Sequence, residues 1–166
     1  ESHSVARELA AESYVPLKAG QHMYIETGMR VFVTGPASDD VGALCGGWTC
    51  WWQGVSDADM HDYYGIDEKH WTEGNSILEA LQKAAKENGF EVVTDKSQIS
   101  ICDMVILCIG EKPYAEWYGD TADLSITGSL GLEGNKEAIN LAADSGLPTL
   151  TLIVAGRNVI IDNYID

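Results

Sequence analysis

Positive charge is scarce in this sequence. Ten Lys and Arg stand against 26 Asp and Glu, a formal net charge of -16. Such a field repels phosphate backbones and anionic bilayers, which sets aside nucleic acids and membrane surfaces as partners. Cysteine is sparse too. Cys45, Cys50, Cys102 and Cys108 contain no CxxC pair and no cluster at zinc-ligand spacing with histidine. Cys102 and Cys108 flank or lie inside an apolar run and read as inert core residues. Cys45 and Cys50 lie close together in a loop, where a local disulfide and two free thiols both fit. No apolar run approaches the length of a membrane span. No secretory leader opens the chain, whose first residues, ESHSVARELAAES, follow a polar helical pattern. Neither GxGxxG at a helix start nor GxxxxGK[ST] occurs, so no phosphate cradle is offered.

What is present is a foldable chain. Its 166 residues are 45% apolar and include five tryptophans, enough for one domain, 1–166, around one core. Val5, Leu9 and Ala10 recur at helical spacing, and Pro16 sets the limit of that helix. MRVFVTG (29–35) reads as a buried strand closed by Gly35-Pro36. From Pro36 to Gly74 the sequence is rich in Gly, Asp and Trp with little periodicity, and it reads as a functional or interaction loop. Asn75-Ser76 then opens the amphipathic helix ILEALQKAAKENG, closed by Gly89. Strands follow at FEVVT (90–94), DMVILCIG (103–110) and PTLTLIVAG (148–156), with a helix inside 130–146 and NVIID (158–162) as a further strand. Helices alternating with strands that are nearly continuous in Val, Ile and Leu predict an α/β three-layer sandwich. Its mostly parallel sheet should have about five or six strands, with helices on both faces.

In an open parallel sheet ligands gather beyond the C-terminal ends of the strands. Three such ends stand out: GPASDDVGALCGGWTCWWQG, GEKPYAEWYGD and AGRN. They carry Asp39, Asp40, Glu111, Glu116 and Asp120, which repel phosphate, beside indole and phenol rings. Rings pack on the apolar face of a sugar and carboxylates accept from its hydroxyls, so a neutral polyol suits this rim. Trp48, Trp51 and Trp52 each read equally well as an ordinary core or domain-interface residue and as a ring of the sugar-binding rim. Gly46-Gly47 suggests a tight turn presenting Trp48. A loop glutamate is ordinarily one more solvated acid. For Glu116, however, Pro113 stiffens the approach, and Tyr114, Trp117 and Tyr118 are placed to shield the carboxyl from water. Desolvation raises a carboxyl pKa, as a proton donor at neutral pH requires. Glu111 and Asp120 are expected to hold the loop by hydrogen bonds. In DADMHDYYGIDEKHW the spacing of His61 and His70 is loose for a metal, and the run reads as a solvated insertion.

Together these motifs resemble the second, α/β-sandwich domain of glycoside hydrolase family 3, the β-glucosidase and exo-β-glucanase family. CGGWTCWWQG is similar to the family's GGW-x-x-x-WQG loop and GEKPYAEWYGD to its GE-x-PYAE-x-x-GD loop. RVFVTGPASDD, SILEAL and LIVAGRNVII resemble its first sheet strand, following helix and Gly-Arg-Pro strand, and VARELAAESYVPLK its opening helix and strand. The resemblance implies a retaining glycosidase with no cofactor or metal. Glu116 is implied as the acid/base, Trp48 as a wall of the sugar site, and Glu111, Tyr114 and Asp120 as loop supports. The nucleophilic aspartate is implied to lie on a separate (β/α)8 barrel domain, so this chain alone is expected to be inactive. The implied partners are a β-glucoside or oligosaccharide and that barrel. Three features depart from the pattern. No nucleophile motif is present, Asn158 stands where the family has proline, and Pro16-Leu17-Lys18-Ala19 replaces an apolar pair followed by Lys-Asn. The family's domain continues past the Gly-Arg-Pro strand, so a domain or fragment of a larger hydrolase is expected. A non-catalytic module that binds sugar or buttresses the barrel is the alternative, because some members draw their acid from elsewhere.

Overall fold

The computed structural model describes residues 2–18, 24–161 and 164, without the side chains of 63 and 64. Four strands form the sheet among these residues: β1 (Arg30–Thr34), β2 (Glu91–Val93), β3 (Met104–Gly110) and β4 (Thr149–Val154). Their order is β2-β1-β3-β4, and every pairing is parallel. The expected fifth strand, 158–162, is not one over its described residues 158–161, and residue 162 lies outside those described. Ile160 makes only an isolated bridge with Ser125. The sheet is therefore narrower than the five or six strands expected, because Val159 and Ile161 cover a core edge instead of extending the ladder.

β3 is buried at every position, and its alternation divides two cores. Val105, Leu107 and Ile109 face Phe32 and α5 (Asn135–Ser145) through Ala138, Ile139 and Ala142. Met104, Ile106 and Cys108 face the other side, where α4 (Ile77–Asn88) contributes Ile77, Leu78 and Leu81. Helices thus cover both faces, and a central strand buried on both sides has no room for a polar residue. α4 begins with a full capping box, Ser76 with Glu79, and ends at Gly89 in the left-handed region, as its sequence predicts.

The segment 36–74 differs from a plain loop. It holds a 3₁₀ turn (Pro36–Asp39), α2 (Val41–Cys45) and α3 (Asp57–Tyr64). Helices this short give no readable period. Nor is the DADMHDYY run a solvated insertion. Ser56, Asp57 and Met60 are buried, and Trp71 Nε1 donates to the Val55 carbonyl at 2.9 Å. Asp57 accounts for this. Its carboxylate accepts from the backbone N–H groups of Val41 and Trp71 and meets His70 Nδ1 at 2.7 Å. α1 (Ser2–Glu12) ends before Pro16 as expected, but it buries none of its residues. Among the described residues no helix is long and apolar enough to cross a membrane.

Candidate functional site

The strand order reverses direction between β1 and β3, the switch point beyond whose strand ends an open parallel sheet gathers ligands. The loop after β1 carries Trp48, and the loop after β3 carries Glu116. Their approach is set by glycines. A Cβ on Gly35 would lie 2.0 Å from the Cys108 carbonyl oxygen, and one on Gly47 would lie 2.2 Å from that of Tyr114. Gly54 packs as tightly, against the Gly46 carbonyl and Pro113. The glycines of the GGW and WQG motifs therefore let one loop lie directly on the other. Gln53 completes the junction, since its Oε1 accepts from the Ala115 N–H at 2.7 Å. Gln53 lies in the WQG motif, but only the folded chain shows its partner.

Three non-glycine residues among those described have φ in the left-handed region: Trp48 at 63°, Cys50 at 59° and Glu116 at 51°. Such a backbone is unfavourable for a side-chain-bearing residue, and strain of this kind concentrates at functional sites. Two of the three are the candidate sugar wall and the candidate acid. An aromatic series joins them. Trp48 lies 6.2 Å from Trp52, Trp52 packs edge-on to Trp117 at 5.7 Å, and Trp117 lies 6.2 Å from Tyr118. Trp48 is 68% exposed and Trp117 61%, so the series is a platform facing outward and not a core. Trp51 instead turns toward Trp71, edge-on at 5.2 Å.

The shielding expected for Glu116 is not present. Glu116, Trp117 and Tyr118 are all exposed, and Tyr114 is directed elsewhere. Its hydroxyl donates to Glu111 Oε2 at 3.0 Å, and its ring lies under the Arg157 guanidinium at 5.3 Å. The local sequence puts rings beside the carboxyl, but the 3₁₀ turn Glu116–Gly119 projects them into solvent. Two open concavities flank the platform, of about 180 and 440 Å³, and neither has Glu116 or Trp48 in its wall.

Beneath the loop sits a buried ion pair. Glu111 has 1% of its side chain exposed, and Arg157 reaches it through Nη2 at 2.7 Å and Nε at 3.2 Å. Arg157 Nη1 also donates to the Gly119 carbonyl at 2.6 Å, which ties the loop after β4 to the turn carrying Glu116. Burial, the bond to Glu111 and its charge push the Tyr114 hydroxyl up to about 12, so it remains a donor throughout the neutral range. The bond to Glu111 likewise raises Arg157. Asp120 is exposed, and its backbone N–H donates to the Trp117 carbonyl at 3.0 Å; no hydrogen bond of its carboxylate is among those described. Asn135, which the sequence does not single out, is buried and clamps the end of β3. Its Nδ2 donates to the Gly110 and Ile126 carbonyls at 2.7 Å each. Cys45 and Cys50 are exposed free thiols, and burial pushes the Cys108 thiol up to about 12, consistent with an inert core residue.

No protein-family model matches the chain. A lysosomal β-glucosidase of Dictyostelium discoideum is 28% identical over 146 residues, covering 77% of this chain and 16% of its own length. An exo-1,3/1,4-β-glucanase of a Pseudoalteromonas species superposes over 95% of the chain with a TM-score of 0.73 at 25% identity. Its Q683A mutant does so over 96% with the same TM-score at 26% identity. The β-glucosidase D2-BGL of Chaetomella raphigera shares the fold, with a TM-score of 0.61 at 16% identity and 98% of the chain covered. The chain spans only 19% to 24% of these solved chains. It is thus related to one segment of much longer glycosidases, in keeping with its resemblance to the α/β-sandwich domain of family 3.

Proposed function

We propose that this chain is the acid/base-bearing domain of a retaining β-glucosidase or exo-β-glucanase acting on terminal β-D-glucosyl residues. The observation that carries the proposal is the strained pair. Trp48 and Glu116 both adopt left-handed backbone conformations on two loops locked together at the switch point of the sheet. A sugar ring stacks on Trp48, and the Glu116 carboxyl donates its proton to the departing glycosidic oxygen. An aspartate on a barrel domain attacks the anomeric carbon to form the glycosyl-enzyme. Glu116, now ionised, takes a proton from water as that water releases the sugar. The two carboxyl groups stand about 5–5.5 Å apart in such a pair.

The exposure of Glu116 gives the barrel a second task. Covering the platform takes Glu116 out of water and into the dry setting in which a carboxyl serves as a proton donor near neutral pH. Without the barrel the chain has neither the nucleophile nor the dry site, and it is inactive. The same exposure favours one other reading, a module that only binds sugar or buttresses the barrel. Glu116→Gln in the full-length parent separates the two. Loss of the acid lowers kcat/KM steeply for glucosides with poor leaving groups and far less for activated aryl glucosides, which need no protonation. Activity of the variant close to the parent's on both substrate types would leave the non-catalytic reading.

A further inference from the structure

We propose that Asp39, His70 and Glu79 form a binding site for a divalent cation of the zinc class, fastening the 57–71 segment to the start of α4. The site is independent of the glycosidase reading and shares no residue with the Glu116 platform. Asp39 Oδ1, His70 Nε2 and Glu79 Oε1 lie within 4.8 Å of one another. They come from three separate segments: the 3₁₀ turn after β1, the stretch beyond α3 and the first turn of α4.

His70 points to the ligand. Only 10% of its side chain is exposed, and its Nδ1 lies 2.7 Å from Asp57 Oδ2. Asp57 is buried and already accepts two backbone N–H groups, so the Nδ1 position carries a proton and Nε2 presents its lone pair. Nε2 is itself buried and makes no hydrogen bond among the described residues. It faces Asp39 Oδ1 at 3.7 Å and Glu79 Oε1 at 3.6 Å. Neither oxygen is within hydrogen-bonding reach of it. A cation between the three atoms would engage all of them. A carboxylate holding the far nitrogen is the device that orients metal-binding imidazoles. A tetrahedral zinc centre places such ligand atoms about 3.3 Å apart, so Nε2 stands within a few tenths of an ångström of ligand spacing to each carboxylate oxygen. One nitrogen and two carboxylate oxygens suit zinc better than calcium or magnesium, which favour all-oxygen shells.

The Lys69 ammonium competes for the same oxygens, at 3.0 Å from Asp39 and 2.9 Å from Glu79. It neutralises them but leaves Nε2 without a partner. Its side chain is 55% exposed and free to swing out when a metal enters.

The test is calorimetric titration of Zn²⁺ into the chain in chelator-free buffer, with thermal unfolding followed in parallel. One equivalent should bind and raise Tm. His70→Gln and Glu79→Gln should each weaken binding by about tenfold or more, and Asp57→Asn by about 10–100-fold. Glutamine at position 79 retains the capping box, so loss in that variant is not unfolding. Lys69→Met should tighten binding. Stoichiometric binding that survives in both His70→Gln and Glu79→Gln would overturn the site, as would no binding at all. Calcium bound equally well by the same residues would overturn the zinc-class assignment.

Discussion

Arg157 illustrates how single residues hold the candidate site. Its guanidinium meets a glutamate with almost no exposed surface, caps the Gly119 carbonyl and lies on the Tyr114 ring. Removing one member of a buried pair leaves the other charged and desolvated. Arg157→Ala should therefore cost about 3–5 kcal/mol, read by urea unfolding as a lower midpoint with an unchanged slope. A loss below about 1 kcal/mol would mean that the pair is solvated in solution. The residue types at this site are legible in sequence, because GEKPYAEWYGD and GGWTCWWQG supply carboxylates, rings and glycines together. Their directions are not. Tyr114 is adjacent in sequence to the acid turn yet bonds to Glu111, while Glu116 stays in water. A ring two residues from a carboxyl is placed by the backbone conformation between them, and that conformation includes an unusual φ at Glu116 itself.

At the scale of elements, α4 is the clearest case of local sequence fixing local structure. Ser76 accepts from the Glu79 N–H at 3.1 Å, and its hydroxyl donates to Asp39 Oδ1 at 2.6 Å. The first contact is an N-cap that the sequence predicts, and the second couples the helix to the loop after β1. Ser76→Ala should destabilise the chain by about 1–2 kcal/mol, since it removes a cap and leaves a neighbour short of a donor. Equilibrium unfolding of the variant measures this, and an effect within about 0.5 kcal/mol would mean that the cap carries no stability here. The four strands and α5 are equally readable from apolar runs and terminal glycines. The segment 36–74 is not, because its helices are too short to show a period. What fixes them is one buried carboxylate, Asp57, collecting partners up to sixteen residues away. The run 158–162 departs in the opposite way. Its apolar pattern suits a strand, but burial of an apolar stretch does not require ladder pairing, and Val159 and Ile161 reach the core without it.

For the whole molecule the governing quantity is the net charge of -16, which disfavours compaction as carboxylates ionise. Asp40 adds a specific contribution. Burial, with the nearby Asp57 charge, raises its carboxyl above 3.8 against the lowering effect of its N–H partners. A carboxyl raised in the folded state binds more protons folded than unfolded. Stability is therefore lost as pH rises from 3.8 through the raised value. Asp40 Oδ1 accepts from the Ala43 and Asp57 N–H groups at 2.7 and 2.9 Å, a task that asparagine oxygen also performs. Asp40→Asn should thus be at least as stable as the parent at pH 7, with a shallower decline in Tm between pH 4 and 7. A variant that is less stable at pH 7 with an unchanged slope would place the ionised Asp40 among the stabilising groups.

The sequence by itself determined the four strands and the helices α1, α4 and α5, that the sheet is parallel with both faces covered, and which two loops carry aromatic and acidic groups. These follow from short-range periodicity, capping residues and the need of apolar runs to be buried. The tertiary structure alone decided that Gln53 joins the two loops, that Arg157 neutralises Glu111, that Glu116 faces open solvent and that His70 is aimed at Asp39 and Glu79. Each of these depends on distances of a few ångströms between atoms on separate segments, and no regularity along the chain encodes such distances.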